Sequence, residues 1–206
     1  SNPPPPAAPA PSPESEPILI FSGDDMGASE IQWEICKLIV ELLRDCFTAQ
    51  GRKIKVGGNL TFQYRDGDAA ARVVPDVYVL EDEPPEAEDI SCWRTYARGG
   101  KVPALAIEVV SKSSKKDYAQ TPEGMLRRYE ELGVPELVRY DPAWQRHPRS
   151  SRRLLSHFVR SDAGKLEEQA ALLSGDRVLL RRFGLLLVHR APGRLRLAMG
   201  SPEHLF

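Results

Sequence analysis

Residues 103–110 read Pro-Ala-Leu-Ala-Ile-Glu-Val-Val, and residues 73–80 read Val-Val-Pro-Asp-Val-Tyr-Val-Leu. The first run is apolar almost throughout, as in a strand buried on both faces of a sheet. Its one charge is Glu108, and the one charge of the second run is Asp76. An isolated carboxylate taken out of water costs several kcal/mol, so proteins pair it, neutralise it or bind a metal with it. If the two strands are neighbours, the carboxylates converge and can hold a hard cation through oxygen. Mg2+ is typically held by one or two carboxylates together with waters and phosphate oxygens. Strand-end carboxylates facing water or a nearby arginine fit the same spacing, and the sequence leaves both open.

Outward from this pair the pattern alternates between helix and strand. Upstream, Ile31, Ile35, Leu38, Ile39, Leu42 and Cys46 recur at spacings of three and four, with Trp33, Leu43 and Phe47 widening the apolar face. The spacing predicts an amphipathic helix over about 29–49, with Ser29 as its cap. Strands are expected at 53–56 and 59–64. The turn Arg65-Asp66-Gly67-Asp68 then leads into 73–80 as a meander. Residues 81–101 read as an acidic excursion with a short helix near 91–98. Downstream of the central strand comes a basic loop from Ser111 to Lys116. A helix over 122–132 follows, with Pro122 in its first turn and Gly133 at its end. Next is a strand at 137–140, closed by Asp141-Pro142. Four further strand-like segments lie near 153–160, 165–173, 177–188 and 194–198. The fold class is therefore α/β (α+β): a mixed central sheet flanked by helices, with a β-rich C-terminal extension.

The 206 residues suit one domain with an appendage, and their 41% hydrophobic and 28% charged content is that of a globular chain. Residues 1–17, with eight prolines, read as a disordered tail. Residues 18–142 form the expected core, and 143–206 an extension packed on the same domain. No apolar run is long enough to span a bilayer. No signal peptide is evident. Cys36, Cys46 and Cys92 form no disulfide framework, so a reducing cytoplasm is the expected location. Charge is uneven. Residues 1–142 hold 16 basic and 24 acidic residues, and 143–206 hold 12 basic and five acidic. The basic end suits a polyanion, or simply a solvated sheet face. The histidines have no metal-ligand spacing, and neither a P-loop nor a nucleophile-elbow motif occurs.

Several short motifs occur in a definite order. They are Asp24-Asp25-Met26-Gly27, Gly57-Gly58-Asn59-Leu60, Val74-Pro75-Asp76-Val77, Ile107-Glu108-Val109-Val110-Ser111-Lys112-Ser113-Ser114, and Gly133-Val134-Pro135-Glu136-Leu137 with Asp141-Pro142. Together they resemble the Uma2-type family of restriction endonucleases, within the PD-(D/E)xK nuclease superfamily. The resemblance covers residues 20–142 closely and the remainder more loosely. It implies a restriction-endonuclease-like core and Mg2+- or Mn2+-dependent cleavage of DNA. Asp76 and Glu108 would be the metal ligands, joined by the Val109 carbonyl, and Glu30 would match a further acid present in some members.

The chain also departs from the pattern. The superfamily lysine belongs two residues after Glu108, where Val110 stands. Relatives usually carry it instead on the next helix, four residues before the aromatic that precedes the Gly-Val turn, and here that residue is Met125. Lys112 is the leading replacement, with Lys115, Lys116, Arg127 and Arg128 behind it. The expected function is a Mg2+-dependent endonuclease in which Asp76, Glu108 and Lys112 are catalytic. The alternative is a nuclease fold without chemistry, binding DNA through its C-terminal arginines or serving as a protein-interaction module such as a homodimer subunit.

Overall fold

The computed structural model describes residues 28–83, 90–110, 122–144, 153–170, 175–190 and 194–199. The proline-rich start, the Asp24–Gly27 motif, most of the acidic stretch and the whole Lys112–Lys116 loop lie outside the described residues. Among the described residues there are two α-helices, α1 (Ala28–Ala49) and α2 (Pro122–Leu132). The main sheet has six strands in the order β1 (Ile54–Gly57), β4 (Val77–Glu81), β6 (Leu105–Val109), β7 (Glu136–Tyr140), β8 (Leu155–Arg160) and β9 (Leu166–Glu168). The β6–β7 pair is parallel and all other neighbours are antiparallel, so the sheet is mixed. A parallel pair needs a crossover, and α2 lies within it.

The near-continuous apolar run becomes β6, at the middle of the sheet, as its composition requires. Alternation along it feeds two cores. Leu105, Ile107 and Val109 pack with Ile35, Ile39, Leu43 and Phe47 of α1. Ala106 packs on the opposite side with Tyr129 and Leu132 of α2. A small sheet of β10 (Arg177–Leu180), β11 (Leu185–Arg190) and β12 (Arg194–Met199) shares the α1-side core. A second small sheet of β3 (Arg72–Val73), β2 (Thr61–Gln63) and β5 (Cys92–Arg94) shares the α2-side core. The mixed sheet thus has a helix on each face.

Five expectations change in detail. The run 73–80 is not one strand of a meander: it splits, with β3 pairing β2 and β4 pairing β1. Pro75 stands at the break, where it has no N–H for a ladder. The segment 177–188 is likewise two strands, β10 and β11, folded back through residues 181–184. In place of a helix near 91–98 stand β5 and a single 3-10 turn, Thr95–Ala97. Trp33 leaves the apolar face of α1. It is 53% exposed, with the Lys37 ammonium 4.2 Å from its ring. α1 also starts at Ala28, so Ser29 falls inside the first turn. Among the described residues, no helix is long and apolar enough to cross a membrane.

Candidate active site

The break at Pro75 puts Asp76 in the bend just before β4, at one end of the main sheet. Two neighbours fix this bend. The Asn59 N–H donates to the Pro75 carbonyl at 3.1 Å. Gly58 lies against Asp76 so closely that a Cβ there would stand 2.5 Å from the Asp76 carbonyl oxygen. Val77 pairs with Ile107 across the β4–β6 ladder, and one further step of that register sets Asp76 opposite Glu108. Two acids 32 positions apart in sequence therefore meet at the same sheet end.

Asp76 is held by its own surroundings. Its Oδ2 accepts the Val109 N–H at 2.8 Å and the Gln32 Nε2 at 3.2 Å. The same Gln32 nitrogen donates to the Val109 carbonyl at 2.9 Å. Hydrogen bonds to a charged acceptor are each worth about 1.5–3 kcal/mol, so this clamp fixes the carboxylate rotamer. Glu108 is held from the other face, where its Oε1 accepts a hydrogen bond from the Tyr129 hydroxyl on α2.

Two buried side chains sense both acids. Burial pushes the Cys36 thiol from its ordinary 9.0 up to about 12, and the charges of Asp76 and then Glu108 add to the effect. Burial also holds the Tyr129 phenol well above its ordinary 10.0, reinforced by the charge and hydrogen bond of Glu108 and by the charge of Asp76. Cys36 belongs to the α1-side core and Tyr129 to the α2-side core. Both acids therefore act across the sheet end, within electrostatic reach of the two faces.

The donor set here is all oxygen: two carboxylates and the Val109 carbonyl. Such a set suits a hard divalent cation with a mostly aqueous shell. Among the described residues, no three His, Cys, Asp or Glu side chains gather into a metal cluster. Asp76, Glu108 and Val109 thus offer oxygen donors of the kind a hard divalent cation takes, and a purely side-chain cage is absent among the described residues.

A family model described as "Putative restriction endonuclease", Uma2, matches residues 25–187. The chain belongs to the Uma2 family. The solved structure of a protein from Anabaena variabilis, described as a putative nuclease belonging to DUF820, is similar at 15% identity. That match covers 80% of this chain and 78% of the other, with a TM-score of 0.46. No curated protein matches the sequence. Uma2 membership makes this a nuclease-type chain of the restriction-endonuclease kind.

Within this Uma2 fold the expected residues fare unequally. Asp76, Glu108 and Val109 come together. Lys112, Lys115 and Lys116 lie outside the described residues. Met125 sits one turn before Tyr129 on α2 and packs against the α2-side core. Arg127 is exposed and donates to Glu131 at 3.0 Å, and Arg128 is exposed beside it. Glu30 is exposed as well. Several C-terminal arginines are engaged within the protein. Arg153 bonds Glu168, Arg177 bonds Asp176, Arg182 reaches Glu81 and Arg160 donates to the Glu130 carbonyl. Arg146, Arg149 and Arg152 lie outside the described residues.

Sequence reasoning missed Gln32, Cys36 and the Tyr129 hydroxyl as parts of the site. One signal was available. Gln32 and Cys36 are four residues apart on the stripe that carries Ile35 and Ile39, so one helix face brings both towards the core.

Proposed function

We propose that this protein is a divalent-cation-dependent endonuclease that hydrolyses DNA phosphodiester bonds. The observation that carries the reading is the register of β4 against β6, which sets Asp76 opposite Glu108 beside the Val109 carbonyl. Asp76 and Glu108 would hold the ion with Val109. When bound, the cation supplies charge neutralisation at the phosphate and an activated water. The chain's own part is positional. Gln32 and the Val109 N–H orient Asp76, Tyr129 orients Glu108, and the two core faces exclude bulk water from behind the acids. In the reaction, water adds to phosphorus, the P–O bond to one sugar breaks, and the leaving oxygen takes up a proton. The products are a phosphomonoester end and a hydroxyl end.

A second reading has an observation in its favour: neutral residues, Val110 and Met125, occupy both positions where relatives carry the lysine. On that reading the fold binds nucleic acid without cutting it. Its arginine-tail version is weakened by the intramolecular pairing of Arg153, Arg160, Arg177 and Arg182.

A nicking assay on supercoiled plasmid with Mg2+ or Mn2+ separates the two. The expected result is metal-dependent nicking that Asp76→Asn and Glu108→Gln each reduce at least about 100-fold, on the scale of losing one electrostatic element of a site. Far-ultraviolet circular dichroism should show both variants natively folded, so that the lost nicking reports on the site and not on the fold. Metal-dependent DNA binding without any nicking would favour the second reading.

A further inference from the structure

We propose that Arg139 on β7 supplies the positive charge of this active site, in place of the lysine that Val110 and Met125 do not provide. The inference rests on the nuclease reading above and names a residue that the sequence motifs did not mark.

The parallel register of β6 and β7 pairs Glu108 with Arg139. Paired residues of adjacent strands carry their side chains on the same face, with backbones about 4.8 Å apart. The face is set by the neighbours. Leu137 belongs to the α2-side core, and Val138 and Tyr140 belong to the α1-side core. Arg139 therefore returns to the α2 side, where the Tyr129 hydroxyl meets Glu108. It stands one strand over from Glu108, at the C-terminal ends of both parallel strands. Its Nη2 is sealed from solvent.

A guanidinium does not deprotonate, so it enters the interior as a full charge. Its desolvation is severe unless a countercharge lies alongside. The inward residues behind it on this face, Leu137 and Phe158, are apolar and offer none. The register pairs Glu108 with it, and the buried Asp141 follows two residues on in the chain. The other arginines considered for this role are elsewhere: Arg127 bonds Glu131 on the outside of α2, and Arg128 is exposed. Met125 and Arg139 both belong to the side of the sheet where Tyr129 holds Glu108. A positive charge delivered from β7 can thus do what one delivered from α2 would do. It offsets the charge that builds on the phosphate as water adds.

The test compares wild type, Arg139→Met, Arg139→Lys and the exchange Met125→Lys/Arg139→Met, all as full-length protein. Three readouts are used: plasmid nicking in Mn2+, Mn2+ affinity by electron paramagnetic resonance without DNA, and a thermal melt. We expect Arg139→Met to nick about 100-fold more slowly, the usual loss for one preorganised electrostatic group. It should also bind Mn2+ about tenfold more tightly, because a like charge next to Glu108 has gone. Arg139→Lys should keep nicking within about tenfold of wild type, and the exchange variant should regain at least about tenfold over Arg139→Met. Removing an arginine that only packs would leave Mn2+ affinity unchanged, and moving the charge to α2 would not restore nicking. Should Arg139→Met fail to fold, Arg139→Gln takes its place. Wild-type nicking left undiminished in a folded Arg139→Met or Arg139→Gln overturns the assignment alone, as does unchanged Mn2+ affinity. Wild-type protein that is folded, binds Mn2+ and never nicks overturns the nuclease reading, and this role with it.

Discussion

Tyr129 and Cys36 show how single residues set the chemistry of this site. Tyr129 is buried, and its hydroxyl goes to Glu108. Tyr129→Phe keeps the ring and removes the donor, leaving a carboxylate with less compensation. A loss of about 1–3 kcal/mol is expected, read from urea unfolding. Cys36 gives a pH signature. Its folded pKa, about 12, lies above the ordinary 9.0 through burial and the charges of Asp76 and Glu108. The neutral thiol is therefore favoured in the fold. Its stabilising contribution is complete below pH 9 and is lost as pH rises towards 12. Alkylation at pH 9 should spare Cys36 in native protein and modify it in urea, as mass spectrometry of the peptides would show. Equal labelling in both states would contradict the burial and the charges placed around it. Glu108 was legible in the sequence because a charge interrupts an apolar run. Tyr129 was legible only as a core residue, because helical spacing shows which face a residue takes but not the partner of its hydroxyl.

At the scale of elements, the site depends on two turns and a register. Gly133 ends α2 with φ of +93°, and its N–H and that of Val134 both bond the Tyr129 carbonyl. A side chain is strained there, so the glycine allows the chain to leave α2 abruptly and enter β7. Gly58 acts at closer range. A Cβ there meets backbone at 2.5 Å, and backbone cannot rotate out of the way. Gly58→Ala should thus push the bend that carries Asp76, costing about 1–3 kcal/mol. It should lower nicking more than Gly124→Ala on α2, where nothing stands within 4 Å. Both measurements use the same plasmid assay beside thermal melts. The helices and the central strand were readable from periodicity. The division of 73–80 between two sheets was not, although Pro75 marked the place. A proline shows where a ladder must break but not which strand each half then joins.

Across the whole molecule, one core links the small C-terminal sheet to α1 and the main sheet. The Phe183 ring lies 5.1 Å from Phe47, centroid to centroid, and Leu180, Leu185 and Leu187 belong to the same cluster. Phe183→Ala should cost about 3–5 kcal/mol. It should lower a single cooperative transition, seen as coincident melting by far-ultraviolet circular dichroism and tryptophan fluorescence. Separate transitions would mean that the C-terminal sheet folds apart from the rest. A buried pair, Glu136 Oε1 to His157 Nε2 at 2.7 Å, adds a cross-strand tie between β7 and β8. The amino-acid sequence by itself determined the two helices, the doubly buried central strand, the two acids set in apolar runs, and the motifs of the family. These are local properties, written in spacing, composition and turn residues. Only the tertiary structure decided which strands are neighbours and in what register, and hence that Asp76 and Glu108 stand at the same sheet end, that Gln32 clamps Asp76 to Val109, and that Glu108 pairs with Arg139. Strand pairing is settled by long-range packing of whole faces, and a one-residue slip would turn every side chain over. No local pattern carries that information.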